Sequence, residues 1–271
     1  KAQVRRAKSK YQCMKIEDDN ALRTYMIDKL KQYWNPDEIS GRMRDDNEPF
    51  YASKSGIYKW LRSSYGQYYC QYLYSGRYSQ RRQKKNKTKR AMIPNRISLE
   101  LRPLGAANRT RYGHYEADTM VSAKETKSKT ALSVTYERKA KFIDARKIKN
   151  MKPASHNRAL KAMLENKKAL SLTQDNGVEN TKHDELGLPT YFCDPYSSWQ
   201  KGGVENAIRM IRRFIPKGSD INDYSDEYVS MVTTILNGKP RKSLGYKTPY
   251  EVMVENNLFK NISSEKIALQ G

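Results

Sequence analysis

The chain has 271 residues and carries 52 Lys and Arg against 29 Asp and Glu, a formal net charge of +23. Such a field attracts DNA, RNA or an anionic surface, while no apolar run nears the roughly 20 residues that would span a bilayer, which argues against a membrane reading. The three cysteines, Cys13, Cys70 and Cys193, are too scattered for a metal spacing or a disulfide set, which fits a reducing cytoplasm, and no signal peptide is visible.

Charge is uneven along the chain: residues 1–112 hold 26 basic and 10 acidic side chains, net +16, and the rest hold 26 and 19, net +7. The chain opens at Lys1 rather than Met, so it is expected to be part of something longer. Residues 1–17 read as a basic N-terminal segment. From there to residue 79 the pattern is helical. Asp19 or Asn20 can cap a first helix on which Leu22, Tyr25, Met26, Lys29, Leu30 and Tyr33 recur at helical spacing. Asn35-Pro36-Asp37-Glu38 is a second start signal: Asn caps, Pro takes the first helical position, and two acids sit where the helix dipole favours them. That helix is predicted to end near Arg44. Ser53 can cap a third helix over 54–62, with Ile57, Trp60 and Leu61 on one side and Lys54, Ser55, Lys59 and Arg62 turned outward. Three such helices read as a helix-turn-helix DNA-binding module, with a small helical packing domain as the alternative.

Six tyrosines between Tyr65 and Tyr78 could stack on bases, although packing against the helices is the favoured reading. Residues 80–112 read as a basic linker. Arg81, Arg82, Lys84 and Lys85, with Lys87, Lys89 and Arg90, form a run without acid that suits an arm along phosphates.

Past Gly113 the periodicity changes to that of strands. His114–Ala123 alternates, with Glu116 and Asp118 on one face, and 130–137 and 142–148 follow as an antiparallel meander. A helix beginning near Pro153, a short strand over 169–173, a helix from about Val178, a strand over 190–193 and a helix carrying Glu205, Ile208 and Arg212 on one face complete a mixed α/β domain over 113–255. Residues 256–271 read as a tail.

Three acids stand out in this basic setting: Asp118 within the first strand, Asp175 at a strand end before Asn176-Gly177, and Glu205 on a helix, 30 positions after Asp175. Carboxylates gathered among Lys and Arg are hard oxygen ligands suited to Mg²⁺ beside a polyanion, and so to phosphodiester chemistry. Glu116, on the face of Asp118, and His183 are second-tier candidates, and Asp194 is a third.

The motifs Gly113-His-Tyr-Glu-Ala-Asp118, Thr173-Gln-Asp-Asn-Gly177, Tyr191-Phe-Cys-Asp-Pro-Tyr-Ser-Ser-Trp-Gln-Lys-Gly202, Glu205-Asn206 and Leu236-Asn-Gly-Lys-Pro-Arg-Lys-Ser-Leu-Gly-Tyr-Lys-Thr-Pro249 together resemble the IS-thirty family of bacterial insertion-sequence transposases. Ile93-Pro-Asn-Arg96 and Leu101-Arg-Pro103 look like that family's linker, and Asn35–Ser40 with Ser55–Tyr58 like its internal helix-turn-helix. A further upstream helix-turn-helix of the family has no counterpart in this sequence. The chain also departs from the family pattern at Ile208-Arg209 and at Asn180, neither of them a predicted metal ligand.

The resemblance implies an α/β fold with a ribonuclease-H-like catalytic core behind a small helix-turn-helix domain. It implies a DDE transposase acting on double-stranded DNA, at element ends and target, as a homodimer or higher oligomer in a prokaryotic, nucleoid-associated setting and without a membrane. Asp118, Asp175 and Glu205 take the catalytic and metal-binding places, for two Mg²⁺ ions that Mn²⁺ could replace. Lys201, Arg209, Arg212 and Arg213 take places facing DNA. Two alternatives stay open at this stage: a DNA-end-binding regulator that no longer cuts, and a ribonuclease-H-like nuclease unconnected with transposition.

Overall fold

The computed structural model describes residues 14–63, 65–74, 93–194 and 197–260. The chain divides into two compact units, one of residues 1–85 with 238–248, the other of residues 86–237 with 249–271. The segment 238–248, which the sequence reading places within the catalytic span, is thus grouped with the first unit. Arg81, Arg82, Lys84 and Lys85 lie outside the described residues, as do Cys13, Tyr78 and most of the predicted basic N-terminal segment and tail.

The first unit is helical: α1 (Met14–Asp18), α2 (Asn20–Lys31), α3 (Pro36–Asp45) and α4 (Lys54–Leu61). The expected local signals are in place. Asp19 Oδ1 accepts from the Leu22 amide at 2.9 Å, Glu38 accepts from the Asn35 amide at 2.6 Å, and Ser53 Oγ accepts from the Gly56 amide at 3.2 Å. Each satisfies a donor that a helix start or its flanking residue would otherwise leave unpaired. Leu22, Met26, Leu30, Ile39, Met43, Ile57, Trp60 and Leu61 form the core. Of the tyrosines, Tyr69 stacks on Trp60 with centroids 5.5 Å apart, whereas Tyr65, Tyr68 and Tyr74 are exposed. Packing against the helices, the favoured reading, therefore holds for Tyr69.

The second unit is built on a six-stranded sheet: β1 (Ile97–Ser98), then α5 (Leu104–Ala107), β2 (His114–Val121), β3 (Ala131–Glu137), β4 (Ile143–Ile148), α6 (Pro153–Leu164), β5 (Ser171–Gln174), β6 (Thr190–Phe192), α7 (Gly202–Ile211), α8 (Asp226–Asn237) and α9 (Pro249–Glu255). The strand order is β1-β6-β5-β2-β3-β4. Strands β2, β3 and β4 form the expected antiparallel meander, β5 runs parallel to β2, and β6 runs parallel to β5. A mixed sheet flanked by helices, the expected fold class, is thus in place.

Helix α6 covers one face of the sheet through Ala159, Leu160, Met163 and Leu164, packed on Tyr115, Ala117 and Leu172. Val204, Ala207, Met210 and Ile211 of α7, with Val229, Val232 and Leu236 of α8, cover the other through Met120, Leu132 and Val134. The outer strand β4 is finished by a side chain: Asn237 accepts from the Ile143 amide at 2.9 Å and donates to its carbonyl at 2.7 Å.

Two expectations are corrected. The stretch read as linker contains β1, which pairs Ile97 with Tyr191 and Ser98 with Phe192; two residues are too few to show a strand period. The helix predicted from Val178 is instead two short 3₁₀ turns, Val178–Asn180 and His183–Leu186. Asp175 Oδ1 accepts from the Gly177 amide at 3.1 Å and from the Asn180 side-chain amide at 3.1 Å, a local closure that competes with helix formation.

Candidate active site

Asp118 is the fifth residue of β2, and Asp175 follows the last residue of β5, the strand paired with β2. The register that pairs Glu116 with Thr173 brings the two acids to neighbouring positions. In each, one carboxylate oxygen is held by protein donors. Asp118 Oδ1 accepts from the Thr119 amide at 2.8 Å, and Asp175 Oδ1 takes the two bonds just described. The other oxygens converge on one cation: Lys201 Nζ stands 2.9 Å from Asp118 Oδ2 and 2.7 Å from Asp175 Oδ2.

The Lys201 side chain is 6 % exposed. Burial opposes its charge, but the two carboxylates hold it above the ordinary lysine range. Burial raises the Asp118 carboxyl, the ammonium pulls it back part of the way, and Asp175 adds to the rise. Lys201 was expected to face DNA; its amine is turned inward to the acids instead. Trp199, two residues before it, is 75 % exposed.

Glu205 lies in the first turn of α7. Partial burial raises its carboxyl, Lys201 offsets this and Asp118 adds to it, so the three groups share one electrostatic field. Among the described residues no group of three His, Cys, Asp or Glu side chains is close enough to hold a metal ion. The pair Asp118 and Asp175 nevertheless fits a cation: two hard oxygen donors face a common point that a positive charge already fills.

Glu116 is buried, and its work is to tie elements together. Its Oε2 accepts from the Val204 amide at 2.9 Å, and its Oε1 accepts from the buried Arg138 guanidinium. This anchors the start of α7, one residue from Glu205, to the strand that carries Asp118. The approach is close enough to demand glycine at Gly203, where a Cβ would lie 2.3 Å from the Tyr136 ring and 2.7 Å from Glu116 Oε2. His183 is likewise a brace, with Nε2 2.9 Å from the Pro94 carbonyl and its ring edge-on to Phe192 at 4.7 Å. Asp194 closes a turn by accepting from Gln200 Nε2 at 2.9 Å.

Arg212 donates to the Val121 carbonyl at 2.7 Å and to the Pro216 carbonyl at 3.3 Å, so it is pinned to the end of β2. Arg209 is exposed, and its charge lowers Glu205. Arg213 is half-buried, while Lys54, Ser55, Lys59 and Arg62 are exposed on and just beyond α4.

Sequence reasoning missed two groups beside the acids. Glu179 is buried and accepts from Thr119 Oγ1 at 3.0 Å; burial raises its carboxyl, and Asp175 and Asp118 reinforce the rise. Its spacing, four residues after Asp175, was the available signal. His156 on α6 is buried, with Nε2 3.5 Å from Gln174 Nε2 and no partner for Nδ1. Burial lowers its imidazole to about 4.

Comparison with known proteins bears on this arrangement. No family model matches the chain. It is 31 % identical over 240 residues to the transposase for insertion sequence element IS4351 of Bacteroides fragilis, spanning 85 % of this chain and 72 % of that protein. Transposase InsI for insertion sequence element IS30C of Escherichia coli is 30 % identical over 266 residues, spanning 92 % of this chain and 68 % of its own length. The chain belongs to the IS30 family of insertion-sequence transposases. The transposase for element IS1086 of Cupriavidus metallidurans is similar to the same degree, 29 % over 93 % of this chain and 78 % of its own. Among solved structures, the catalytic core domain of BIV integrase superposes with a TM-score of 0.42 at 22 % identity, over 54 % of this chain and 95 % of that one. Among the described residues no helix is long and apolar enough to cross a membrane.

Proposed function

We propose that the chain binds the terminal inverted repeats of an insertion sequence and catalyses metal-dependent DNA strand cleavage and strand transfer. The observation that carries this is the convergence of Asp118 Oδ2 and Asp175 Oδ2 on a single cationic point, 2.9 and 2.7 Å from Lys201 Nζ. The names of its relatives, transposases of insertion sequences, supply the reaction class.

In this reading Asp118, Asp175 and Glu205 hold two Mg²⁺ ions, or Mn²⁺ in their place. The ions would supply Lewis-acid activation of the scissile phosphate and of the attacking water or 3′-hydroxyl. The protein's own part is positioning. One oxygen of each aspartate is fixed by amides, leaving the other directed at the cation. Glu205 is presented on a helix whose start is bonded to β2. Because the hydroxyl attacks phosphorus directly, no protein nucleophile is required. Arg209 and Arg213 are assigned to the DNA beside the acids, and Lys54, Ser55, Lys59 and Arg62 to recognition of the end sequence, since early turns of a recognition helix meet base edges and phosphates. The acting form is assigned as a homodimer or higher oligomer on DNA.

The deciding measurement is nicking of end-labelled duplexes that carry the element's terminal repeats, with Mg²⁺ or with EDTA. Metal-dependent nicking at the repeat end supports the proposal. Binding without nicking leaves a DNA-end-binding regulator, and nicking indifferent to end sequence leaves a general nuclease.

A further inference from the structure

The segment 238–248 carries Lys239, Arg241, Lys242 and Lys247 and no acid. Within the helical unit it is docked on α3 by built contacts. Lys239 Nζ stands 3.3 Å from Glu38 Oε2, with side chains 2 % and 6 % exposed, and Arg241 Nη1 lies 3.9 Å from Glu38 Oε1. Arg42 Nη1 donates to the Tyr246 carbonyl at 3.3 Å. The Tyr246 ring rests on Gly41, where an added Cβ would come within 2.1 Å of it. Glu38 therefore engages two of the segment's four charges, and Lys242 stays exposed.

Docked in this way, the segment walls a cleft of about 240 Å³ lined by Arg44, Lys54 and Lys242, by the hydroxyl-bearing residues Ser40, Tyr51, Ser53, Ser55 and Tyr246, and by a single acid, Asp37. Three cations against one carboxylate leave two positive charges uncompensated. Arg44 is held ready: it donates to the Tyr51 hydroxyl, its guanidinium carbon lies 4.8 Å from the Tyr51 ring centroid, and the same hydroxyl is 3.0 Å from Ser40 Oγ. A guanidinium held on Tyr51, two ammonium groups and several hydroxyl-bearing side chains supply the donor types that a phosphodiester selects.

We infer that this cleft, completed by Lys242 and Tyr246 of the returning segment, binds a backbone phosphate of duplex DNA. The inference rests on the reading of the helical unit as DNA-binding. It adds that the unit's DNA surface is composite: Lys54 and Ser55 come from the recognition helix, Arg44 from the helix before it, and Lys242 from a segment some two hundred residues further on.

Fluorescence anisotropy with the full chain tests this, using labelled end and random duplexes of equal length across a KCl series. Lys242→Ala should weaken binding to both duplexes by about 3- to 10-fold and flatten the log-affinity against log-salt slope by about 0.9, the loss of one phosphate contact. Lys242→Arg should restore most of the affinity. Lys247→Ala, which removes the same charge from the same segment outside the cleft, should have less than a twofold effect. An unchanged slope in Lys242→Ala, equal losses in the Lys242 and Lys247 variants, or a loss confined to one duplex would overturn the phosphate site while leaving end binding intact. A wild-type chain that binds neither duplex would overturn the DNA-binding reading and the cleft together.

Discussion

The ammonium of Lys201 stands 2.9 Å from Oδ2 of Asp118, and the same nitrogen neutralises Asp175 at 2.7 Å. An internal cation thus holds together two acids that would otherwise repel. Lys201→Met should leave the pair uncompensated and lower the metal-free melting temperature. The cost should fall below the roughly 3–5 kcal/mol of a fully buried broken pair, because the Asp175 side chain is 40 % exposed and water screens it. Mg²⁺ should recover part of the loss and bind the variant more tightly than wild type, since it no longer competes with the ammonium. Thermal melts in EDTA and in Mg²⁺, with calorimetric titration of Mg²⁺, read both effects. A melting temperature indifferent to the substitution in EDTA would reject the counter-ion role.

Removing the acids one at a time gives the reciprocal experiment. Asp118→Asn, Asp175→Asn and Glu205→Gln each delete a charge that the proposed function assigns to metal binding, and keep the side-chain shape. Each should abolish nicking of repeat-end duplexes and leave binding to the same DNA within a few fold, because the basic surface is untouched. Full nicking by any one of them would remove that residue from the site.

Glu116 acts through the elements it joins. Glu116→Gln weakens the bond to the Val204 amide and leaves buried Arg138 without its carboxylate. Breaking a buried pair by removing one partner costs about 3–5 kcal/mol, so urea unfolding should shift by an amount of that order. Nicking should fall as well, because α7 carries Glu205. Replacing Arg138 and Glu116 together with Met and Gln should recover part of the stability. A double variant that is worse than both singles would mean that the two residues do not act as a pair.

What the sequence shows and hides follows from the range of each interaction. Asp19 and Ser53 cap helices, and Glu38 closes back on the Asn35 amide, through bonds three residues long, and the β2–β4 meander alternates within itself, so both are readable locally. Asp118, Asp175 and Glu205 are visible as isolated acids in a basic chain. The inward turn of Lys201 is not, because a lysine at the end of a 3₁₀ turn beside an exposed Trp199 reads as a solvent-facing cation. Glu179 and His156 owe their burial to packing between α6 and the turns after β5. Strand β1 depends on β6, and the place of Lys239 depends on Glu38, partners that only the folded chain brings together.

His156 provides a pH signature of that packing. Its imidazole falls from 6.5 to about 4 through burial, with Asp175 raising and Lys201 lowering it. The folded value lies below the unfolded one, so between these limits the unfolded chain binds a proton that the folded chain refuses. Stability from the neutral ring is therefore fully present above pH 6.5 and is lost as the pH falls toward 4. The total is of the order of 3 kcal/mol. Asp118 and Glu179, raised by burial, act in the opposite sense and remain in every variant. His114, lowered by burial, acts in the same sense and also remains. The difference between wild type and His156→Gln thus isolates the one ring. Urea midpoints measured from about pH 4.5 to 7 should rise more steeply in wild type than in the variant. Parallel curves would show that the buried imidazole does not stay neutral, and that α6 packs more loosely over Gln174 than the 3.5 Å contact requires.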